Sequence, residues 1–222
     1  GQDLAAARAR CWLMDSQGLV VRSRANLAEH KQPFAHDHAP IADFITAIRT
    51  LKPTAIIGVA AVGGTFTQEV VEEMTRLNAR PVVFALSNPT SKSECTAEQA
   101  YQWSGGRALF ASGSPFDPVS YAGKTYVPRQ GNNSYIFPGV GLGAIAVGAQ
   151  RVTDEMFMAA ARALAAQVSQ ADLDQGSLFP PLAKVRGVSA HIARAVAEVA
   201  FAQGHASVPQ PEDLLAYVTE QM

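Results

Sequence analysis

Short, almost continuously apolar runs alternate with amphipathic segments along the first 150 residues. Such runs are typical of parallel strands buried on both faces of a sheet. They span residues 11–15, 55–60, 81–87 and 108–114. The intervening segments repeat apolar residues at helical spacing, and they span residues 41–51, 67–77 and 96–103. This alternation predicts a doubly wound α/β fold with a mostly parallel sheet.

The strand runs cease after residue 150, where the chain becomes rich in alanine. Residues 153–168 and 189–203 are predicted to be amphipathic helices. The linker over residues 176–188 contains two adjacent prolines, which favour extended backbone. We therefore predict a sheet domain over residues 1–150 and a helical extension over residues 151–222.

Polar residues suited to helix ends flank the predicted helices. Thr67, Thr153 and Ser189 are candidate N-caps. Thr96 has a glutamine three positions later, which is the spacing of a capping box. Gly204 is a candidate helix terminator.

The composition narrows the class of protein. Of the 222 residues, 48% are apolar and 17% are charged, so disorder is not expected. A net charge of −1 offers no basic surface for nucleic acid or an anionic membrane, and no apolar run is long enough to span a bilayer. Cys11 and Cys95 match neither a disulfide nor a metal-site spacing, which favours a reducing compartment. We expect a cytoplasmic location, with an organelle matrix as the alternative.

Each of the last three predicted strands is followed by a loop suited to ligand contact. In an open parallel sheet, ligands bind beyond the carboxyl ends of the strands, and these loops are residues 58–64, 87–96 and 112–116. The first is rich in glycine, and the second presents Asn88 before a proline. A further amide, Asn132, precedes an apolar run whose spaced glycines open a helix. These are positions where such folds hold small anions.

The glycine fingerprint of dinucleotide-binding folds does not occur in the required context. The pattern G-x-G-x-x-G follows the first strand, about 20 residues before an acidic residue that ends the second. Asp15 fits that acidic residue, but only one glycine precedes it. Either the first strand and its loop are missing from this segment, or Asp15 only starts a turn before Gly18. We expect Gly139, Gly141 and Gly143 to allow close helix packing instead.

The histidines give no strong signal of a metal or catalytic site. His36 and His38 are spaced like metal ligands, but they lie in a polar, proline-flanked loop without cysteine, so we expect a solvated loop. His191 falls near the start of an alanine-rich helix and is expected to be structural. Neither a G-x-S-x-G nucleophile elbow nor an H-E-x-x-H zinc helix occurs in the sequence.

Several longer motifs, taken together, resemble the cofactor-binding domain of malic enzymes. They are IIGVAAVGGTFT (56–67), PVVFALSNPTSKSECTAEQAY (81–101), LFASGSPF (109–116), QGNNSYIFPGVGLG (130–143) and LFPPLAKVRGVSAHIA (178–193). The resemblance runs nearly end to end. It implies the Rossmann-like NAD(P)-binding domain of an enzyme that oxidises L-malate and decarboxylates it to pyruvate and CO2.

The resemblance implies roles for two asparagines. In the family, the asparagine of the Ser-Asn-Pro motif and the first asparagine of Gly-Asn-Asn contact substrate and nicotinamide. These correspond to Asn88, expected to touch both substrate and cofactor, and to Asn132, expected to bind malate. Val59 and Ala60 are implied as further cofactor contacts. Neutral amides can orient a dicarboxylate without adding charge beside it.

The choice between NAD and NADP depends on three residues. A carboxylate that ends the second strand usually bonds the ribose 2′-OH and disfavours a 2′-phosphate, so Asp15 alone points to NAD. Malic enzymes resemble one another at this aspartate whichever cofactor they use, but NADP-preferring members have a serine after it and a lysine further on. These match Ser16 and Lys31. Because a lysine can pair with a 2′-phosphate, the resemblance favours NADP; a solvent-facing Lys31 is the alternative.

The resemblance also implies which residues lie outside this segment. The family's tyrosine acid, lysine base, substrate-binding arginine and three metal carboxylates lie upstream, so Mg²⁺ or Mn²⁺ is expected to be bound there. The chain begins Gly-Gln-Asp, like the tail of a helix, and we expect a fragment that cannot turn over malate alone. A homo-oligomer, dimer or tetramer, is expected from the family.

Three other interpretations stay open on the sequence. Malolactic enzyme converts malate to lactate and keeps similar loops. A non-catalytic NAD(P)-binding or regulatory module would carry the same loops without the chemistry. A structural domain would keep its ligand binding unchanged when Asn88 or Asn132 becomes alanine.

Overall fold

A short helix and a small hairpin form the start of the described chain. The computed structural model describes residues 3–222. Helix α1 (Leu4–Arg8) is followed by strands β1 (Met14–Asp15) and β2 (Gly18–Leu19), which pair antiparallel. The helical tail expected at the start of the chain corresponds to α1, and residues 1 and 2 of that expectation lie outside the described residues.

The predicted parallel strand over residues 11–15 is wrong in both length and partner. Only its last two residues are strand. A tight turn over residues 16–17 follows, and Gly18, which pairs with Asp15, adopts a left-handed φ of 94° that glycine tolerates easily. The chain therefore folds back on itself, and the Val20 N–H donates to the Leu13 carbonyl at 2.9 Å.

A three-stranded parallel sheet lies at the centre of the fold. The elements that build it are, in chain order, α2 (Phe44–Leu51), β3 (Ala55–Gly58), α3 (Gln68–Leu77), β4 (Val82–Ala85), α4 (Ala97–Trp103) and β5 (Leu109–Ser112). The strands lie in the order β3–β4–β5, and both pairs are parallel. The α/β fold class is confirmed, with three of the four predicted strands in one sheet.

One hydrophobic core joins these helices to the sheet. Ile48 of α2, Val71 and Met74 of α3 and Phe110 of β5 are fully buried and belong to one contiguous cluster. Each is an apolar residue of the repeating pattern found in the sequence. The helical spacing therefore identifies the face of each helix that packs on the sheet, as predicted.

The predicted helix starts are confirmed for α3 and α4. The Thr67 side chain accepts a hydrogen bond from the Val70 N–H at 3.4 Å. Thr96 and Gln99 make both hydrogen bonds of a capping box. Helix α2 begins later than predicted because Asp43 is its N-cap.

A hairpin that the sequence pattern did not reveal follows the sheet. Strands β6 (Val119–Tyr121) and β7 (Lys124–Tyr126) pair antiparallel. Their turn places Ala122 and Gly123 at φ values of 50° and 78°. Two-residue hairpin turns with positive φ at both positions usually contain Asn-Gly or Asp-Gly. The Ala-Gly pair therefore did not indicate a hairpin in the sequence. Tyr126 then stacks on a buried tyrosine of α4, with ring centroids 4.2 Å apart.

The remainder of the described chain is helical. Its helices are α5 (Phe137–Ala146), α6 (Asp154–Ala165), α7 (Gln170–Asp174), α8 (Val185–Ala202) and α9 (Leu214–Glu220). Helix α8 begins before its predicted start, so Ser189 is a buried residue inside it and not its N-cap. The end of the predicted extended linker is therefore helical. Thr153 caps α6 as predicted, and Gly204, at a φ of 67°, follows α8.

These helices form a second hydrophobic core around α8. It contains buried residues of α5, α6, α8 and α9, among them Val140, Met156, Ile192 and Val218. Helix α5 precedes residue 150 but packs with the C-terminal helices, and the division of the chain at that residue stays a prediction. None of the helices within residues 3–222 has the length and apolar character needed to cross a membrane.

Two glycines allow α5 to lie directly on α8. A Cβ atom on Gly143 would lie 2.5 Å from the Ala193 carbonyl oxygen, and one on Gly139 would lie 2.6 Å from the Ile192 Cβ. Non-bonded atoms do not tolerate such distances, so the helices reach this separation only with glycine at both positions. The predicted packing role is confirmed for these two glycines. It is wrong for Gly141, which faces open space.

We expect Gly143→Ala to lower the free energy of unfolding by about 1–3 kcal/mol, because the added methyl group meets backbone that cannot move aside. Gly141→Ala is the matched control on the same helix. It adds a methyl group in open space and favours the helix, so we expect a gain of roughly 0.5–1 kcal/mol. Urea unfolding measures both changes. A Gly143→Ala variant as stable as wild type would contradict the packing argument.

Candidate functional site

The loops that follow the three parallel strands meet at one edge of the sheet. Because β3, β4 and β5 run in the same direction, their carboxyl ends share this edge, which we call the carboxyl edge. The loop after β3 bonds to the loop after β4. The Gly64 and Phe66 N–H groups donate to the carbonyl oxygens of Ser93 and Glu94 at 3.1 and 3.0 Å. Two of the predicted ligand loops are therefore in direct contact.

A buried carboxylate holds these two loops together. Glu94 is only 1% exposed, and its carboxylate accepts hydrogen bonds from the hydroxyl and the backbone N–H of Ser87 at 2.5 and 3.3 Å. The Ser87 hydroxyl oxygen in turn accepts from the Ala61 N–H at 2.9 Å. A side chain at Gly58 would overlap the Glu94 carboxyl group, so the glycine that ends β3 leaves room for it.

Asn88 follows β4 and presents its amide N–H groups outward. Its Oδ1 atom accepts a hydrogen bond from the Ser114 hydroxyl at 2.6 Å, and Ser114 is only 2% exposed. Because the oxygen is engaged, the Nδ2 group is the end of this exposed amide that remains available within the described chain. The site therefore presents Asn88 as a hydrogen-bond donor.

Asn132 is oriented in the same way by its own backbone. Its Oδ1 atom accepts from the Ser134 N–H at 2.9 Å and caps a short 3-10 turn. The residues before it attach to the end of β5. The Gly131 N–H donates to the Ser112 carbonyl at 2.8 Å, and the Gln130 side chain donates to a neighbouring carbonyl at 3.0 Å. Both asparagines are thus anchored to the loop after β5 and lie at the carboxyl edge.

The C-terminal helices brace the turn that carries Asn132. Arg129 pairs with Asp172 at 2.9 Å and donates to the Phe179 carbonyl at 2.7 Å. Tyr135 stacks on the Phe179 ring with centroids 5.7 Å apart. These contacts join the segments on both sides of the turn to the second core, so the position of Asn132 depends on residues distant in sequence.

The loop after β3 exposes apolar side chains beside these amides. Val59 is 73% exposed and Val62 is 56% exposed, and Ala60 between them is also exposed. Ala61 adopts a left-handed φ of 54°, a conformation that non-glycine residues rarely adopt. Neighbouring exposed apolar residues commonly mark a contact surface. Val59 and Ala60, the predicted cofactor contacts, lie on this surface.

Asp15 lies at the tip of the first hairpin, between two basic side chains. The Lys31 ammonium contacts its carboxylate at 2.5 Å, and the Arg24 guanidinium contacts it at 3.1 Å. Burial pushes the pKa of Asp15 upward, but the hydrogen bonds from Lys31 and Arg24 outweigh it and hold the pKa well below its usual range. Lys31 is therefore paired with Asp15, while its side chain stays 30% exposed. Ser16 is exposed on the adjacent turn.

An apolar groove lies between this hairpin and the edge strand of the sheet. Met14 and Ile57 both line it, together with residues of α2. Met14 adjoins Asp15, and Ile57 lies two residues before Val59. The groove therefore lies between the predicted 2′-phosphate residues and the predicted nicotinamide loop.

The other candidate residues show structural contacts. His36 is half-buried and stacks on Trp12 with ring centroids 3.6 Å apart, so the expected solvated loop is wrong for it.

Within residues 3–222, no group of three or more histidine, cysteine, aspartate or glutamate side chains is placed to hold a metal ion. Burial raises the pKa of the Cys95 thiol to about 12, and the Glu94 charge adds to the effect. A thiol protonated at neutral pH is a poor nucleophile.

The sequence analysis does not identify three residues of this site, Arg24, Glu94 and Ser114. Arg24 is a further basic residue soon after Asp15 in the sequence, and this proximity could have indicated an ion pair. Glu94 and Ser114 gave no such signal, because they act on partners 7 and 26 positions away in the chain.

Comparison with known proteins identifies a matching family. The family described as "Malic enzyme, NAD binding domain" matches residues 1–201. The chain is 57% identical over 221 residues to the chloroplastic NADP-dependent malic enzyme of Flaveria trinervia, and 54% identical over 217 residues to the NADP-dependent malic enzyme of Vitis vinifera. These alignments cover 99% and 97% of this chain but 34% and 37% of the relatives. The chain thus spans about a third of their length.

A solved structure shares the fold. The crystal structure of Entamoeba histolytica malic enzyme matches 95% of this chain and 40% of its own, with a TM-score of 0.72 and 23% sequence identity. At that identity the match supports the fold alone.

We expect Glu94→Ala to lower the free energy of unfolding by about 2–4 kcal/mol, because it leaves a cavity and two unpaired donors on Ser87. Glu98→Ala, an exposed glutamate on α4, is the control and should change stability by less than roughly 0.5 kcal/mol. Urea unfolding measures both variants. Hydrogen exchange at the Ala61 amide should also accelerate in Glu94→Ala. Unchanged exchange there would contradict the bracing of the β3 loop.

Proposed function

The chain belongs to the malic enzyme family as its NAD-binding domain, and we propose that it supplies the cofactor-binding part of an enzyme that converts L-malate to pyruvate and CO2. The cofactor that we propose is NADP. The Flaveria and Vitis relatives are named for this cofactor, and Ser16 and Lys31 stand where NADP-preferring members have serine and lysine. The cytoplasmic location and the homo-oligomeric state stay predictions; the Flaveria relative is named chloroplastic.

The observation that carries this proposal is the matched orientation of two amides. Asn88 and Asn132 each have their oxygen engaged, by Ser114 and by the Ser134 N–H respectively. Each therefore presents N–H donors at the carboxyl edge. Carboxylate oxygens of malate and the carboxamide oxygen of nicotinamide are acceptors, so the donor set suits both. The two amides are neutral, so they can bind the malate dianion without neutralising it. The negative charge of malate then remains available to bind the divalent metal.

Residues that adjoin the lining of the groove in sequence suit the rest of a dinucleotide. The exposed apolar surface of Val59 and Ala60 can contact one face of the nicotinamide end. The basic residues around Asp15 offer positive charge for a 2′-phosphate at the adenosine end. When bound, NADP supplies the acceptor for the hydride that leaves malate C2. The residues of this chain hold and orient substrate and cofactor. Malate C2 and the nicotinamide carbon that accepts the hydride are thereby kept close together.

Mg²⁺ or Mn²⁺ is proposed to act in the same enzyme, bound by residues of its remaining part. A divalent metal supplies Lewis-acid stabilisation of the malate hydroxyl and of the enolate that decarboxylation leaves. The lysine base, the tyrosine acid and the metal carboxylates stay predictions for that part of the enzyme. Malolactic enzyme is the alternative within the same fold, and its product is lactate.

An exchange of segments tests the proposal directly. In the Flaveria trinervia enzyme, the matching residues are replaced by this chain, and malate-dependent NADPH formation is measured by absorbance. We expect pyruvate as the product and a preference for NADP over NAD. The isolated chain, assayed alongside, should form no NADPH. Lactate without net cofactor reduction would favour malolactic enzyme, and a folded but inactive hybrid would contradict the proposal.

Alanine variants in the same hybrid test the two amides. Asn88→Ala and Asn132→Ala should each lower kcat/KM by about 10- to 100-fold, because a hydrogen bond to a charged group contributes roughly 1.5–3 kcal/mol. Asn133→Ala removes the adjacent exposed amide, which makes no side-chain bond within the described chain, and should stay close to the unaltered hybrid. A larger loss at Asn133 than at Asn132 would contradict the assignment.

A further inference from the structure

Helix α5 carries no charged or hydrogen-bonding side chain along its whole length. Its sequence is FPGVGLGAIA, and the run without a charged residue extends over residues 130–150. Each of the other eight α-helices of the described chain carries at least one charged side chain. A helix that is apolar all round is typical of one that is buried on every side. We therefore expect every face of α5 to be covered.

Only one face of α5 is covered within the described chain. Gly139 and Gly143 lie directly against α8. The outward face of α5 consists of Phe137, Gly141 and Ile145, which follow one another at a spacing of four and so lie on one side of the helix. Phe137 is 55% exposed and Ile145 is 81% exposed. Neighbouring exposed apolar side chains of this kind mark a contact surface.

Gly141, in the middle of the outward face, has no packing role inside this chain. Apart from the helix's own backbone, no heavy atom lies within 4 Å of the position that its Cβ would take. Glycine inside a helix destabilises it relative to alanine. On the other side of the same helix, two glycines let α8 approach closely. A further element that approaches from the outward side would give Gly141 the same function.

The remaining part of the proposed enzyme is the partner that this face fits. The chain corresponds to 34% and 37% of the Flaveria and Vitis relatives, so about two-thirds of their length lies outside it. Under the proposed function, that part binds the metal that contacts malate, and Asn132 binds malate. One 3-10 turn separates Asn132 from the start of α5. The metal-binding part must therefore pack close to the end at which the outward face begins.

The absence of charge on α5 indicates the chemistry of the docked segment. A charged side chain placed against the outward face would lose water without gaining an ion-pair partner. A ten-residue helix is about 15 Å long, so the face can accommodate two or three turns of a partner helix. An uncharged, apolar segment that crosses at Gly141 satisfies both conditions.

We propose that the outward face of α5 is the docking surface for an uncharged, apolar segment of the metal-binding part of the same enzyme. This inference rests on the proposed function. The segment makes its closest approach at Gly141 and packs between Phe137 and Ile145. Because Asn132 caps the turn that leads into α5, this contact also sets the distance between Asn132 and the metal.

Thiol labelling at position 145 tests the docking surface. Ile145→Cys is made in the 222-residue chain and in the hybrid with the Flaveria trinervia enzyme, and maleimide modification is measured by mass spectrometry on the peptide that contains residue 145. We expect labelling to be at least about tenfold slower in the hybrid, because a covered thiol reacts only when local opening exposes it. Glu98→Cys, at an exposed position of α4, is the control and should label at similar rates in both proteins. Equal rates at residue 145 would overturn the docking surface.

Gly141→Ala should have opposite effects in the two proteins. In the isolated chain its methyl group meets open space, so we expect a higher midpoint of thermal unfolding. In the hybrid it meets the docked segment, and we expect the midpoint to fall by about 2–4 °C. Intrinsic fluorescence measures both midpoints. A midpoint that rises in both proteins would overturn the close approach at Gly141.

Photo-crosslinking distinguishes the proposed partner from a second copy of the chain. A benzoylphenylalanine replaces Ile145 in the hybrid, and denaturing electrophoresis separates products with the mass of one polypeptide from products with the mass of two. We expect a crosslink within one polypeptide, to a peptide outside the exchanged residues. A crosslink between two polypeptides would assign the face to a second copy and overturn the proposal.

None of these readouts requires catalysis, so the two proposals fail in different ways. A hybrid that is inactive but protects residue 145 would contradict the proposed function and support the docking surface. An active hybrid in which residue 145 labels as fast as in the isolated chain would overturn the docking surface alone.

Discussion

The buried carboxylate of Glu94 is the interaction on which the arrangement of the carboxyl edge depends. A carboxylate removed from water is costly unless hydrogen-bond donors surround it. Here Ser87 supplies two donors, and the same serine holds the Ala61 N–H. The backbone N–H of Phe66 also bonds the Glu94 carbonyl. The loops after β3 and β4 thereby have a fixed separation, which places the exposed Val59 surface beside Asn88.

The two asparagines are held by different means to the same effect. Asn88 depends on a buried serine from the next strand's loop, whereas Asn132 depends on its own turn and on the brace between Arg129 and Asp172. In both cases the carbonyl oxygen is engaged and the N–H end is available. Preorganised donors lose little entropy when a ligand arrives. Under the proposed function, recognition at these two positions depends on the direction of neutral groups and not on their charge.

Much of the fold was predictable because it follows from local pattern. The apolar runs at β3, β4 and β5 and the capped helices α3, α4 and α6 give strong signals in short windows of sequence. Residues 11–15 carried the same signal without forming a sheet strand, since a strand also needs a partner and Gly18 turns the chain back. The β6–β7 hairpin was missed because Ala122 occupies a position that usually holds asparagine or glycine.

The candidate site was predictable only in part, for a physical reason. Asn88, Asn132, Asp15 and Lys31 could be proposed because they lie within recognisable motifs. The residues that orient them, among them Ser114 and Arg24, exert their effect through contacts between separate loops. Such contacts exist only after the chain has folded, so spacing along the sequence carries little record of them.

The close approach of Gly58 to Glu94 limits how this site can diverge. Any side chain at position 58 would occupy the volume of the Glu94 carboxyl group. A larger residue there becomes tolerable only after position 94 has been shortened, and that shortening by itself releases the loop after β3. The two positions are therefore coupled, because a larger residue at position 58 alone or a shorter one at position 94 alone disturbs the hydrogen bond between Glu94 and Ser87.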